Sequence, residues 1–203
     1  MTEPSSTPPA LAIYGGSFDP PHVGHVLAAH YVLLSAPVSR VLVVPCAQHP
    51  FGKSQCAFEH RLAMCRLAFA HLSEAVEVLD IEGDRPGPSY TVDTVREIAA
   101  RYPGIPLELV VGSDIPPEMR KWKDFDVLCD LARVRVLPRF EEAVADASDA
   151  VDGSGRVSFY LPKISGTTIR QLIRAGGDLA PHVPAAVCQY IAEHGLYRMC
   201  PPE

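Results

Sequence analysis

Short apolar runs, most of them stopped by a turn residue, alternate with helix-patterned segments along most of the chain. Leu11–Tyr14 ends at Gly15-Gly16, Arg40–Pro45 ends in proline, and Leu107–Val111 ends at Gly112. Ala75–Ile81, Val134–Leu137 and Val157–Leu161 read as further strands. Helical spacing covers Gly24–Ser35, Ala57–Leu72, Thr91–Tyr102, Phe125–Leu131, Thr168–Ala175 and Ala185–His194, with Pro37, Pro103-Gly104 and Gly195 as stops. In Ala57–Leu72 the apolar side carries Leu62, Cys65, Leu67 and Phe69. Continuously apolar strands are buried on both faces. The pattern predicts an α/β fold: a Rossmann-like, doubly wound, mostly parallel sheet with helices on both faces. Such sheets bind ligands outside the carboxyl ends of their strands, where the strand order reverses.

The 203 residues fit one domain. Residues 1–10 are expected to form a disordered tail and 11–203 a single domain, within which the acidic, small-residue stretch Glu141–Gly155 is a flexible surface loop. No apolar run approaches the roughly 20 residues of a bilayer span, and the polar N-terminus lacks the basic start and apolar stretch of a secretory leader. The expectation is a cytoplasmic protein with no membrane partner. Six cysteines without C-x-x-C spacing read as buried free thiols in a reducing compartment. A net charge of −6 argues against a general nucleic-acid binder. It allows a polyanionic small ligand, provided that basic groups and backbone N–H donors converge at one site. The sequence leaves the oligomeric state open.

The segment Gly15-Gly16-Ser17-Phe18-Asp19-Pro20-Pro21-His22-Val23-Gly24-His25 joins the first strand to the first helix. Paired glycines permit close backbone approach, and the helix start offers N–H donors and a positive dipole end, which suit phosphate. His22 and His25, three residues apart, can face the same side and donate to phosphate oxygens as charge shifts in a transition state. Near the other end, Ile164-Ser165-Gly166-Thr167-Thr168-Ile169-Arg170 places hydroxyls and a guanidinium at a helix start. Those residues can cap the helix, and they can also hold an anion.

The first string closely resembles the signature of the nucleotidyltransferases with an H-x-G-H motif, and among them the nicotinate-nucleotide adenylyltransferases. The second, about 140 residues later, resembles their I-S-S-T-x-I-R motif, with Gly166 replacing the second serine. The resemblance runs from Leu11 to Tyr197. It implies ATP contacts from Gly15, Gly16, Ser17, Phe18, His22, His25, Ser165, Thr167 and Arg170, and from Gly112 and Asp114 of a G-x-D motif toward ribose hydroxyls. It implies that Ser89-Tyr90-Thr91 holds the nicotinate end of the acceptor, that Trp122 stacks on its pyridine ring, and that Ser17 and Lys53 also meet the acceptor. The family's P-P-H-[KR] is replaced here by Pro45-Cys46-Ala47-Gln48-His49-Pro50-Phe51-Gly52-Lys53, in which Lys53 keeps the phosphate-binding charge. The ending Val187–Tyr197 resembles the family's last helix and reads as packing.

The implied reaction is adenylyl transfer from ATP to nicotinate mononucleotide, with His22, His25, Arg170 and Lys53 as the catalytic set. Mg²⁺ would ride on the ATP phosphates without a protein metal cage. No lysine or arginine adjoins Ser89-Tyr90-Thr91 in sequence, so selectivity for the carboxylate is expected to rest on hydrogen bonds and dipoles. Two alternatives stand beside this reading. One is the same chemistry on nicotinamide mononucleotide or phosphopantetheine, and the other is a non-catalytic nucleotide sensor.

Overall fold

The computed structural model describes residues 8–50, 52, 54–138, 162 and 164–198. Lys53, the stretch 141–155 and the strand expected at Val157–Leu161 lie outside the described residues. Five strands, β1 (Ala10–Gly16), β2 (Val38–Pro45), β3 (Val76–Val78), β4 (Leu107–Gly112) and β5 (Arg133–Leu137), form one sheet in the order β3-β2-β1-β4-β5. Every neighbouring pair is parallel. The helices are α1 (Val23–Ser35), α2 (Phe58–Phe69, continued by a 3-10 turn at Ala70–Leu72), α3 (Thr91–Arg101), α4 (Pro116–Met119), α5 (Phe125–Leu131), α6 (Gly166–Arg174) and α7 (Ala185–Glu193).

Strand side chains alternate between the two faces, and the core divides accordingly. Ala12, Tyr14, Val41, Val43 and Val110 pack with Ala28, Val32, Met64, Cys65, Val187 and Ile191, under α1, α2 and α7. Leu11, Ile13, Leu42, Leu109 and Val111 pack with Val92, Val95, Ile98, Met119 and Leu128, under α3, α4 and α5. The doubly wound architecture is thus present, with helices on both faces.

Several boundaries differ from the sequence expectation. Ala10 is buried and pairs with Val38, so the sheet begins one residue inside the expected tail. β1 also runs on through Gly15 and Gly16, which pair with Val44 and Pro45. β3 covers only three of the seven residues of Ala75–Ile81, although Leu79 and Ile81 are buried. Burial there comes from loop packing, and apolar content alone does not distinguish it from a strand. In α2, Leu67 is exposed while Arg61, Leu62, Met64, Cys65, Ala68 and Phe69 are buried. α4 has no counterpart in the sequence reading. Of the five described cysteines only Cys65 is fully buried, and Cys129 is exposed; all five are free thiols.

The order places β1 and β4 side by side at the centre, with β2-β3 on one flank and β5 on the other. The winding direction reverses between β1 and β4, and a crevice forms beyond the carboxyl ends of such a pair. β1 ends there at Gly16, β4 at Gly112 and β2 at Pro45.

Candidate active site

A cleft of about 790 Å³ lies at this switch point. Gly15, Gly16, Ser17 and His25 line it from the β1–α1 side, and Gly112 and Asp114 from the end of β4. Ser89, Tyr90, Thr91 and Trp122 line its far part, so the expected acceptor residues share one cavity with the glycine-histidine segment. Phe18, His22, Ser165, Thr167 and Arg170 do not line it. They stand behind or beside it. Phe18 is 1% exposed and packs edge-on to Tyr14 and under the His25 ring, 4.7 Å between centroids. Its side chain packs in the core and does not line the cleft toward which the motif implied an ATP contact.

The two histidines meet as the spacing predicted, by stacking. Their ring centroids are 3.6 Å apart with 20° between planes, and His22 is buried. The His22 main-chain N–H donates to His25 Nδ1 at 3.1 Å. That bond occupies the Nδ1 lone pair, so neutral His25 carries its proton on Nε2 as a donor. Gly24 makes the stack possible. A Cβ there would lie 3.1 Å from His22 Nδ1 and 3.2 Å from its Cε1, closer than a side chain tolerates without moving the ring.

α6 begins at Gly166, two residues before the expected start, so Arg170 falls beyond its first turn. Ser165 occupies the N-cap position but makes no side-chain cap bond, which leaves first-turn N–H groups uncapped by a side chain. Arg170 Nη1 donates to the Asp19 carbonyl at 2.6 Å, and its Nη2 donates to Thr167 Oγ1 at 3.2 Å. The missing second serine of the motif has a physical reason. A Cβ at 166 would stand 2.9 Å from the Asp19 carbonyl oxygen and 3.3 Å from Arg170 Nη1. Glycine lets α6 sit directly on the β1–α1 loop. Gly166→Ser, which restores the family residue, is therefore expected to destabilise the fold by about 1–3 kcal/mol and to raise the KM for ATP. A melting curve and steady-state kinetics check this; parent values in both would show that the loop yields freely.

Sequence reasoning missed the residues that hold the loops around the cleft. Arg61, 1% exposed, donates to four main-chain carbonyls: Nε to Cys56 at 2.8 Å, Nη1 to Ser17 at 2.8 Å and Cys46 at 2.6 Å, and Nη2 to Ala47 at 3.0 Å. The planar guanidinium fork suits such divergent acceptors, and its satisfied donors offset the cost of burial. Glu82, also buried, accepts from the Ala47 N–H at 3.1 Å and from Thr94 Oγ1 at 2.6 Å. The Gln48 N–H donates to Ser89 Oγ at 3.3 Å, and the Ser89 N–H donates to the Gln48 carbonyl at 2.9 Å. The departing segment after β2 is therefore gripped through its backbone, which tolerates changed side chains. The signal available in the sequence was an arginine beside the apolar positions Leu62 and Cys65 of α2.

The cavity also holds Cys46, His49, Glu82, Lys121 and Lys123, none of them assigned from sequence. Burial pushes the Cys46 thiol up to about 11, with the Glu82 carboxylate adding to the shift. It stays protonated at neutral pH. Lys123 Nζ sits 4.7 Å from the Tyr90 ring centre and 2.9 Å from Asp93 Oδ2. No lysine or arginine adjoins Ser89-Tyr90-Thr91 in sequence, but the fold brings Lys123 there from the loop after α4, so hydrogen bonds and dipoles are joined by a charge. Arg85, the nearest arginine in sequence, donates to Thr94 Oγ1 and pairs at long range with Glu82 and Glu97.

Comparison with known proteins gives the same picture. Residues 13–172 match the family described as cytidylyltransferase-like. A relative from Gemmatimonas aurantiaca, named a probable nicotinate-nucleotide adenylyltransferase, is 40% identical over 199 residues, covering 94% of this chain and 93% of its own. One of the same name from Myxococcus xanthus is 40% identical over 187 residues, covering 92% and 94%. The structure of Plasmodium falciparum nicotinic acid mononucleotide adenylyltransferase complexed with NaAD superposes with a TM-score of 0.72 at 20% identity, covering 93% of this chain and 97% of that one, which shows a shared fold. The chain belongs to the cytidylyltransferase-like nucleotidyltransferases, and within them to the nicotinate-nucleotide adenylyltransferase family.

Proposed function

We propose that the chain transfers the AMP moiety of ATP to the phosphate of nicotinate mononucleotide, releasing pyrophosphate and forming nicotinate adenine dinucleotide. The observation that carries this reading is the single cleft at the switch point, in which His25 and the paired glycines face the same space as Tyr90, Thr91, Trp122 and Lys123. The glycine-histidine end suits ATP phosphates and the aromatic end suits a charged pyridine ring. The names of the relatives support the same substrate.

The acceptor phosphate attacks the α-phosphorus as pyrophosphate departs in line. A phosphate monoester is already a nucleophile at neutral pH, so the protein's work is positioning and charge stabilisation. Cys46 is held as the neutral thiol and offers no competing thiolate. His25 donates from Nε2 to a non-bridging oxygen, and His22 holds its ring and its tautomer. Gly15 and Gly16 bring main-chain N–H groups close to phosphate, and Asp114 accepts from ribose hydroxyls. Arg170 with the first turn of α6 takes the polyphosphate, and Lys53 the acceptor phosphate. The donors at the glycine-histidine end of the cleft are imidazole, hydroxyl and main-chain N–H, which meet phosphate oxygens rather than a cation. Mg²⁺ would thus be held by the ATP phosphates and water, where it neutralises charge on the leaving group. A cytoplasmic setting belongs to this reading, because ATP is the donor and the five described cysteines are free.

The test is a panel of acceptors, nicotinate mononucleotide, nicotinamide mononucleotide and phosphopantetheine, each with ATP and Mg²⁺. Pyrophosphate release and the mass of the dinucleotide product are the readouts. Turnover with none of them would favour a nucleotide sensor and defeat the assignment.

A further inference from the structure

We propose that Tyr197, acting through Asp19, is a positioning residue that sets the orientation of the Arg170 guanidinium on the phosphate-binding loop. Three segments far apart in sequence meet at the Asp19 side chain, which is 7% exposed. Tyr197 Oη donates to Asp19 Oδ1 at 2.8 Å, and the Cys56 N–H donates to the same oxygen at 3.2 Å. Asp19 Oδ2 lies 3.5 Å from Arg170 Nη1, which also donates to the Asp19 carbonyl. A carboxylate turns easily about its last torsion, so the two donors on Oδ1 decide where Oδ2 points. Oδ2 and the carbonyl together then hold one guanidinium nitrogen and aim the rest of the fork.

The C-terminal turn is shaped for this contact. Tyr197 adopts a φ of 65°, which costs a residue with a side chain and persists only where its surroundings hold it. The Leu196 N–H donates to the Ile191 carbonyl, folding the chain back after α7. Burial, reinforced by the Asp19 charge, drives the Tyr197 phenol far above its ordinary range, so it remains a donor at any working pH. The segment that the sequence suggested was only packing therefore carries a polar link, spanning 178 positions, to the phosphate loop.

The inference rests on the reading that Arg170 meets the polyphosphate of ATP. A double-mutant cycle read in ATP binding tests it without any acceptor, so a wrong acceptor assignment leaves it intact. Tyr197→Phe keeps the ring and removes only the hydroxyl. Calorimetric titration with ATP and Mg²⁺ should show affinity weakened about three- to tenfold in the parent background, the scale of one ordinary hydrogen bond. In an Arg170→Ala background the same change should cost less than about twofold, because the group it orients is gone. An equal loss in both backgrounds would mean that Tyr197 serves the fold alone, and no loss in the parent would mean that Asp19 needs no such help. Either result overturns the proposal.

Discussion

Replacing His25 with alanine is expected to lower kcat about a hundredfold or more while leaving ATP affinity within roughly tenfold of the parent. The asymmetry follows from where the imidazole acts. In the proposed reading, ground-state binding of ATP is spread over the glycine loop, α6 and the ribose contact, so one lost donor is diluted. Negative charge on the oxygens around the transferred phosphorus changes as the bond to pyrophosphate breaks, and a preorganised donor acts most strongly at that moment. The His22 N–H that fixes the Nε2 proton would also lose its acceptor, at a local cost of about 1 kcal/mol. That cost would lower the melting temperature without mimicking the kinetic effect at temperatures where the variant is folded. Steady-state kinetics at saturating ATP, with calorimetric ATP titration, separate the two. A His25→Ala variant with near-parent kcat would remove the histidine from the mechanism.

The architecture was legible because it is written locally. Apolar runs ending at Gly15-Gly16 and Gly112 mark strands whose carboxyl ends must carry the ligand in a parallel sheet, and the cleft lies there. The stack of His22 on His25 follows from their three-residue spacing across a helix start. Arg61 was not legible. Its partners are Ser17 in the β1–α1 loop and Cys46, Ala47 and Cys56 at the two ends of the β2–α2 loop, and only the fold gathers their carbonyls around one guanidinium. The pairing of Tyr197 with Asp19 and the approach of Lys123 to Tyr90 were hidden for the same reason. Short motifs report residues that act where the chain places them, whereas the groups that hold those residues come from distant segments. Phe18 shows the converse: a motif position turns inward and packs against the His25 ring from the core.

The second large effect concerns the choice between two acceptors that differ only by a carboxylate against an amide. Tyr90 and Thr91 stand at the start of α3, where main-chain N–H donors and the helix dipole favour an anion. Lys123, over the Tyr90 ring and tethered by Asp93, adds positive charge at the same end of the cleft. An amide there would turn its own NH₂ toward donors and leave some of them unpaired. Each such mismatch costs about 1–3 kcal/mol, so one or two predict a preference of roughly ten- to several-hundredfold in kcat/KM for the nicotinate form. Trp122 presents the same flat face to either ring, and Trp122→Ala should weaken both acceptors in parallel. Changes at Tyr90, Thr91 or Lys123 should instead alter their ratio. The decisive measurement is kcat/KM of the unmodified enzyme for nicotinate and nicotinamide mononucleotide, side by side with ATP and Mg²⁺. A preference for nicotinate of tenfold or more is the result that this account of the cleft predicts, and equal values or a preference for the amide would contradict it.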